Sequence, residues 1–214
     1  MVEATILKAV EAALAKSKEQ GRKFKQTVDL AINLKNVDLS IPKNRIEEEV
    51  PLPHGRGKGV KVAIFASADL AARSRGVADT IITPDQMNEL AGDKKRFKKL
   101  VDGHTFFLAE APLMPTIGKT LGVVLGPRGK MPRPLPPAAD PKPMIENLRR
   151  TVRVRSKDRR TFHTVVGSED LGADKIAENI ELVLKRVEVK LEQGRNNIES
   201  AWIKTTMGPA EKVV

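Results

Sequence analysis

The sequence predicts two domains threaded through one another: a discontinuous α+β domain, an antiparallel sheet backed by two helices, and an α/β three-layer domain inserted into it. Three observations point there. Polar and apolar residues alternate near both ends of the chain, as in half-buried strands. Short apolar segments alternate with helical ones through the middle, the rhythm of βαβ units. The glycine-rich basic stretch Pro53-His54-Gly55-Arg56-Gly57-Lys58-Gly59 separates the two textures, as a solvated hinge would. At 214 residues the chain is long enough for two cores. The outer domain is placed at residues 1–57 and 152–214, the insert at 58–151.

The first element is an amphipathic helix over Glu3 to Lys16, with Ile6, Val10, Ala13 and Leu14 at helical spacing. After the basic turn Gly21-Arg22-Lys23, the alternation from Thr27 to Leu34 predicts a strand, and Arg45 to Leu52 a second. Beyond the hinge, Val60–Ala66 reads as a buried strand. The segments Ala68–Ser74, Thr80–Ile82, Pro84–Leu90, Thr105–Leu108 and Met114–Leu121 follow, closing with a helix from Pro141 to Arg149. Right-handed crossovers of this kind give a parallel, Rossmann-like sheet with helices on both faces. Alternation returns in Thr151–Ser156 and Thr161–Gly167, predicted as a strand pair around the polar turn Lys157-Asp158-Arg159-Arg160. Ala173 to Lys190 carries one apolar stripe, Ile176, Ile180, Val183, Leu184 and Val187, and Ile198 to Thr206 supplies the closing strand. Neither end of the chain completes an α+β layer alone, so the two ends must fold together.

Lys and Arg total 38 against 27 Asp and Glu, a net charge of +11, which favours a polyanionic partner. Nucleic acid is the expected class. Only 3% of residues are aromatic and no helical stretch has bulky apolar anchors, which argues against membrane binding. The absence of cysteine excludes disulfides and thiolate metal sites and fits an intracellular, cytoplasmic protein. No leader pattern or span of membrane-crossing length is apparent. The histidines, His54, His104 and His163, stand far apart with no ligand spacing, so neither metal nor cofactor is expected.

Candidate binding residues fall in four places. Thr205, Thr206, Met207 and Gly208 end the last strand with hydroxyls and bare backbone amides, suited to ribose 2′-hydroxyls and phosphates; a plain terminal strand and turn explains them equally well. Arg149, Arg150, Arg153, Arg155, Lys157, Arg159 and Arg160 crowd the return into the outer domain. Arg153 and Arg155 share a strand face, spaced to follow phosphates. Lys23 and Phe24 precede Thr27; Phe24 fits a ribose or base contact as well as a core anchor. Arg128, Lys130 and Arg133 lie in a proline-flanked basic loop. It is not a phosphate-binding P-loop, because Met131 follows the lysine and the glycine spacing is wrong. The run Asp93 to Lys99 reads as a solvated helix face, and Glu47-Glu48-Glu49 as strand-edge solvation. No nucleophile elbow, dinucleotide fingerprint or paired-carboxylate site is recognisable, so no enzyme is predicted. With no Tyr and one Trp, stacking platforms are few, and folded RNA is the expected target rather than a single strand.

Three motifs, Leu52-Pro53-His54-Gly55-Arg56-Gly57-Lys58, Gly126-Pro127-Arg128-Gly129-Lys130-Met131-Pro132 and Thr205-Thr206-Met207-Gly208-Pro209, resemble in order and spacing the stalk-protein family of the large ribosomal subunit, in its archaeal form. The resemblance covers essentially the whole chain. It implies an outer domain gripping large-subunit rRNA and an inserted domain that swings near exit-site tRNA and assists release of deacylated tRNA. It also implies translational repression through the protein's own mRNA, a ribosome-associated cytoplasmic location and a monomer when free. The contacts it implies are Phe24, Thr27, His163, Gly167, Ser168, Ser200, Thr205, Thr206, Met207 and Gly208; the basic residues Lys23 and Arg155 are added to the expected RNA site, with Arg128, Lys130 and Arg133 placed nearer the tRNA. Two departures stand out: bacterial members have Asn-Pro-Lys where Arg133-Pro134-Leu135 stands here, and a basic residue at the position of Ser168.

Overall fold

The structure, a computed structural model, describes residues 4–214; Glu3, where the first helix is expected to begin, lies outside the described residues. The chain divides into two compact units, one comprising the chain up to Lys58 with Arg150–Val214, the other Gly59–Arg149. The changeovers fall at Lys58/Gly59 and Arg149/Arg150, not at 57/58 and 151/152. One reason is local: the Leu52 amide donates to the Arg150 carbonyl at 3.0 Å, tying Arg150 to the outer unit.

In the outer unit, α1 (Ala4–Glu19) buries Ile6, Ala9, Val10 and Ala13. Strand β1 (Thr27–Leu34) buries Val28, Leu30, Ile32 and Leu34 on one face, as its period of two requires. It lies between β8 (Thr161–Ser168) and β9 (Ile198–Thr205), antiparallel to both, and β10 (Ala210–Lys212) extends the sheet beyond β9. Helix α8 (Ala173–Lys190) starts after Gly172, whose φ of 83° suits glycine, and buries Ile176, Ile180, Val183, Leu184 and Val187. Each such aliphatic side chain contributes about 1.5–3 kcal/mol by leaving water. Helices α1 and α8 pack with β1, β8 and β9 in a single core.

The predicted pairing of Thr151–Ser156 with Thr161–Gly167 is corrected. Strand β7 (Thr151–Arg155) pairs instead with β2 (Glu47–Pro51) in a separate two-stranded ribbon, leaving β8 to pair with β1. Charge and burial explain the choice. Val50 and Val152 face each other within the core, while Glu49 opposes Arg153 and Glu47 opposes Arg155.

The inserted unit is a parallel sheet in the order β4 (Thr80–Ile82), β3 (Val62–Phe65), β5 (Phe106–Glu110) and β6 (Arg133–Leu135). Alternate residues of β3 and β5 enter different cores. Ala63, Phe65, Phe107 and Ala109 join α3 (Pro84–Gly92), α4 (Lys94–Gly103), α5 (Met114–Thr120) and α6 (Gly122–Leu125). Val62, Ile64, Phe106 and Leu108 join α2 (Ala68–Ser74) and α7 (Pro141–Arg150). The loop predicted over Gly126–Pro134 ends in a strand, because β6 pairs with β5 from Arg133 onward.

Candidate nucleic-acid interface

Antiparallel pairing on both sides of β1 brings three strand ends together at one end of the outer sheet. Thr27 lies opposite Ser168, and Val28 opposite both Gly167 and Thr205. The segment leading into β1 and the turn leaving β9 therefore run side by side. The Thr206 amide donates to the Thr27 carbonyl at 3.1 Å, and its hydroxyl accepts from the Thr27 amide at 3.2 Å. The Gly208 amide donates to the Thr205 hydroxyl at 3.1 Å. Buried Gln26 ties the rest together. Its carbonyl oxygen accepts the Met207 amide at 2.8 Å, and its amide nitrogen donates to Ser17 Oγ at 2.7 Å. Ser17 in turn donates to Glu169 Oε1 at 2.7 Å, while the Glu169 amide returns to the Gln26 carbonyl at 3.1 Å. With its backbone held this way, Met207 presents a side chain 49% exposed, and Phe24, 50% exposed, stands on the adjoining segment.

The predicted residues separate into four groups. Lys23, Phe24, Thr206 and Met207 are exposed at this strand-end surface, with Thr27 half-buried beside them. Gly167, Ser168, Thr205 and Gly208 are brought to the same place but are buried, so they build the surface rather than face a ligand. A Cβ on Gly208 would sit 2.2 Å from Thr205 Oγ1. One on Gly57, whose φ is 68°, would sit 2.1 Å from Ser168 Oγ. His163 and Ser200 share the open sheet face but lie farther along, opposite Ala31 and Asn33, about 13 and 20 Å from Thr27 at ~3.3 Å per residue.

The remaining four are not part of this surface. Arg155 belongs to the β2–β7 ribbon, and the expected phosphate row is already neutralised: Arg153 pairs with Glu49 at 2.9 Å and Arg155 with Glu47 at 3.4 Å. The glutamates are thus partners of the arginines, not mere edge solvation. Arg128, Lys130 and Arg133 belong to the inserted unit. Arg128 Nε bonds Asp102 at 3.0 Å; the Lys130 ammonium donates to the carbonyls of Val101 at 2.7 Å and His104 at 2.8 Å; Arg133 lies over the Phe106 ring. Lys130 closes the end of α4 as a C-terminal cation does.

The model of the ribosomal protein L1p/L10e family matches residues 14–209, most of the strand-end surface included. The chain belongs to the ribosomal protein L1p/L10e family. It is similar to the proteins named large ribosomal subunit protein uL1 of several archaea. That of Thermoplasma acidophilum is 54% identical over 198 residues, covering 92% of this chain and 91% of its own. The Archaeoglobus fulgidus protein is 50% identical over 210 residues, 98% and 97% of the two chains. The Methanosarcina barkeri protein is 46% identical over 215 residues, the full length of both. Among the described residues no helix is long and apolar enough to cross a membrane, and no group of three His, Cys, Asp or Glu could hold a metal.

For this L1p/L10e member, sequence reasoning missed Gln26, Ser17, Glu169 and Asn179. Val166 is skipped by the ladder between β1 and β8, and buried Asn179 meets its carbonyl at 2.8 Å and that of Gly55 at 3.1 Å. A polar residue on the inward side of a helical stripe is the signal that could have found Asn179; nothing local distinguishes Gln26. Asp29 was also overlooked. Burial pushes its carboxyl above the ordinary carboxylate range, against the smaller opposing pull of His163, Lys204 and Arg56. A carboxyl with a raised pKa binds its proton more tightly folded than unfolded, so its ionised form opposes folding. Asp29→Asn should therefore be more stable than the parent in urea titrations at pH 7.5, and the difference should shrink as pH falls through the carboxylate range. Equal midpoints at both pH values would contradict this.

Proposed function

We propose that the outer unit binds a folded segment of large-subunit rRNA through the strand-end surface, making the chain a constituent of the large ribosomal subunit. Family membership makes it a structural, non-catalytic protein. The observation that carries the RNA reading is the clamp of Gln26, Thr27 and Thr206, which holds Phe24 and Met207 out of the core beside exposed Lys23. A surface fixed by backbone hydrogen bonds recognises shape, and the exposed Thr206 hydroxyl, which keeps an acceptor site open, suits the 2′-hydroxyls that distinguish RNA from DNA. The relatives carry the name of a large-subunit protein, which supports the same partner. In this reading the inserted unit works near exit-site tRNA and assists its release. The strand-end surface also captures a similar fold in the protein's own mRNA to repress translation.

The test is binding of purified protein to the stalk segment of large-subunit rRNA and to duplex DNA of equal length at moderate salt. A large RNA preference is expected, and Phe24→Ala and Met207→Asp should each weaken RNA binding by about 5- to 150-fold, equivalent to ~1–3 kcal/mol. Equal affinities with parallel salt dependence would reduce the protein to a general polyanion binder.

A further inference from the structure

The open face of the outer sheet carries an aromatic side chain that neither the strand-end surface nor the core uses. Trp202 belongs to β9, where Ala201, Ile203 and Thr205 point inward, so the indole lies on the opposite face with 37% of the residue exposed. Its row across the sheet is Lys212, Trp202, Ala31 and His163. Ala31 offers only a methyl. Trp202 and His163 therefore stand two strand spacings apart, about 10 Å between backbones, with Ala31 between them. On one side stands the row Ser200, Asn33 and Thr161, on the other Lys204, Asp29 and Val165.

The flanking rows are chemically arranged for a nucleotide. Thr161 donates to Asn33 Oδ1 at 2.8 Å, and Asn33 donates to Ser200 Oγ at 2.8 Å. The Trp202 indole N–H also donates to Ser200 Oγ, at 3.2 Å. That bond fixes the ring on the sheet. It also occupies the second acceptor site of Ser200, leaving the serine its own O–H to donate outward. Lys204 and Lys212 are exposed cations on this face, His163 is an exposed imidazole, and Asp29 is the one acid in the three rows. Half-buried Asp29 shares its end of the face with His163, Lys204 and the half-buried guanidinium of Arg56, and its carboxylate oxygens can accept from a base amino group or a 2′-hydroxyl. Lys204 directly precedes Thr205, and the face is continuous with the strand-end surface.

We propose that Trp202 is a stacking platform for one unpaired nucleobase of the bound RNA, with Lys204 and Lys212 holding the adjoining phosphates. This extends the interface from the strand ends onto the sheet face, and it rests on the RNA reading above. A second protein on this face is the competing occupant. The run of cations about a single planar ring favours the polyanion, since base stacking on an aromatic ring tolerates any base.

The chain contains one Trp and no Tyr, so its intrinsic emission reports this position alone. The experiment titrates the full-length protein with the fluorophore-labelled stalk segment of rRNA, following label anisotropy and tryptophan emission separately. Expected is strong quenching of the emission, with the same midpoint as the anisotropy change and loss of acrylamide access. Trp202→Ala should bind about tenfold more weakly, and Trp202→Phe should recover most of the loss, with circular dichroism and urea midpoints near those of the parent. Complete anisotropy change with unaltered emission and acrylamide access, or unchanged affinity in a folded Trp202→Ala, overturns the stacking role and leaves the strand-end reading intact. No anisotropy change at all overturns both.

Discussion

Gly208→Ala is expected to abolish measurable rRNA binding while leaving the inserted unit folded. The added methyl would come within 2.2 Å of Thr205 Oγ1. Thr205 is fully buried and its hydroxyl is engaged by the Gly208 amide, so the threonine cannot turn aside without breaking that bond. The turn must open instead. Opening removes the Thr205 contact and drags Met207 from the position that Gln26 gives it, at a stability cost of about 1–3 kcal/mol. Filter binding to the stalk rRNA segment and urea unfolding together check this. A Gly208→Ala protein with parental affinity would show that the turn conformation has no part in recognition.

Gln26→Leu should have the second largest effect. Leucine has nearly the same length, so the change removes polar partners with little change in bulk. The Met207 amide and Ser17 hydroxyl both lose a bond of 2.8 Å or less; the part-buried Met207 amide is left without an acceptor, at a cost of about 1–3 kcal/mol, while Ser17 keeps its bond to Glu169. RNA affinity is expected to fall at least tenfold, since Met207 is released. Gln26→Glu is the informative companion. It keeps the acceptor for Met207 but loses the donor to Ser17, whose hydroxyl serves Glu169, and so sets two carboxylates on one serine. Affinity should therefore follow Leu < Glu < Gln in equilibrium binding, and an unchanged Gln26→Leu would remove the residue from the clamp.

Elements set by local periodicity were legible in the sequence. The stripe of α8 and the alternation of β1 match the buried sets of the folded chain, because burial on one face imposes the period. Pairing was less legible. Thr151–Ser156 and Thr161–Gly167 looked like a hairpin because they are neighbours in the chain, yet the glutamates of β2 and a valine facing a valine gave β7 a better partner. Charge read in isolation misled in the same way: a run of arginines looks the same whether its counterions are phosphates or Glu47 and Glu49. Several of the binding candidates come together where the strands end, but the inward sense of Thr205 was missed. Its parity with Ala201 and Ile203 already put that hydroxyl inside. Gln26 and Asp29 act through neighbours distant in sequence, which no local pattern displays.

The central position of β1 governs when the protein becomes competent during its synthesis. This strand leaves the peptidyl-transferase centre early, but its two partners are translated only after the insert: β8 ends at Ser168 and β9 at Thr205. Until then a nascent chain holds an unpaired strand with two naked edges, and closing it requires contacts at maximal sequence separation, the slowest kind to form. The inserted domain has no such dependence, since all its strands are complete by Leu135. A chain terminated between the insert and β9 therefore carries a finished insert and an incomplete outer sheet.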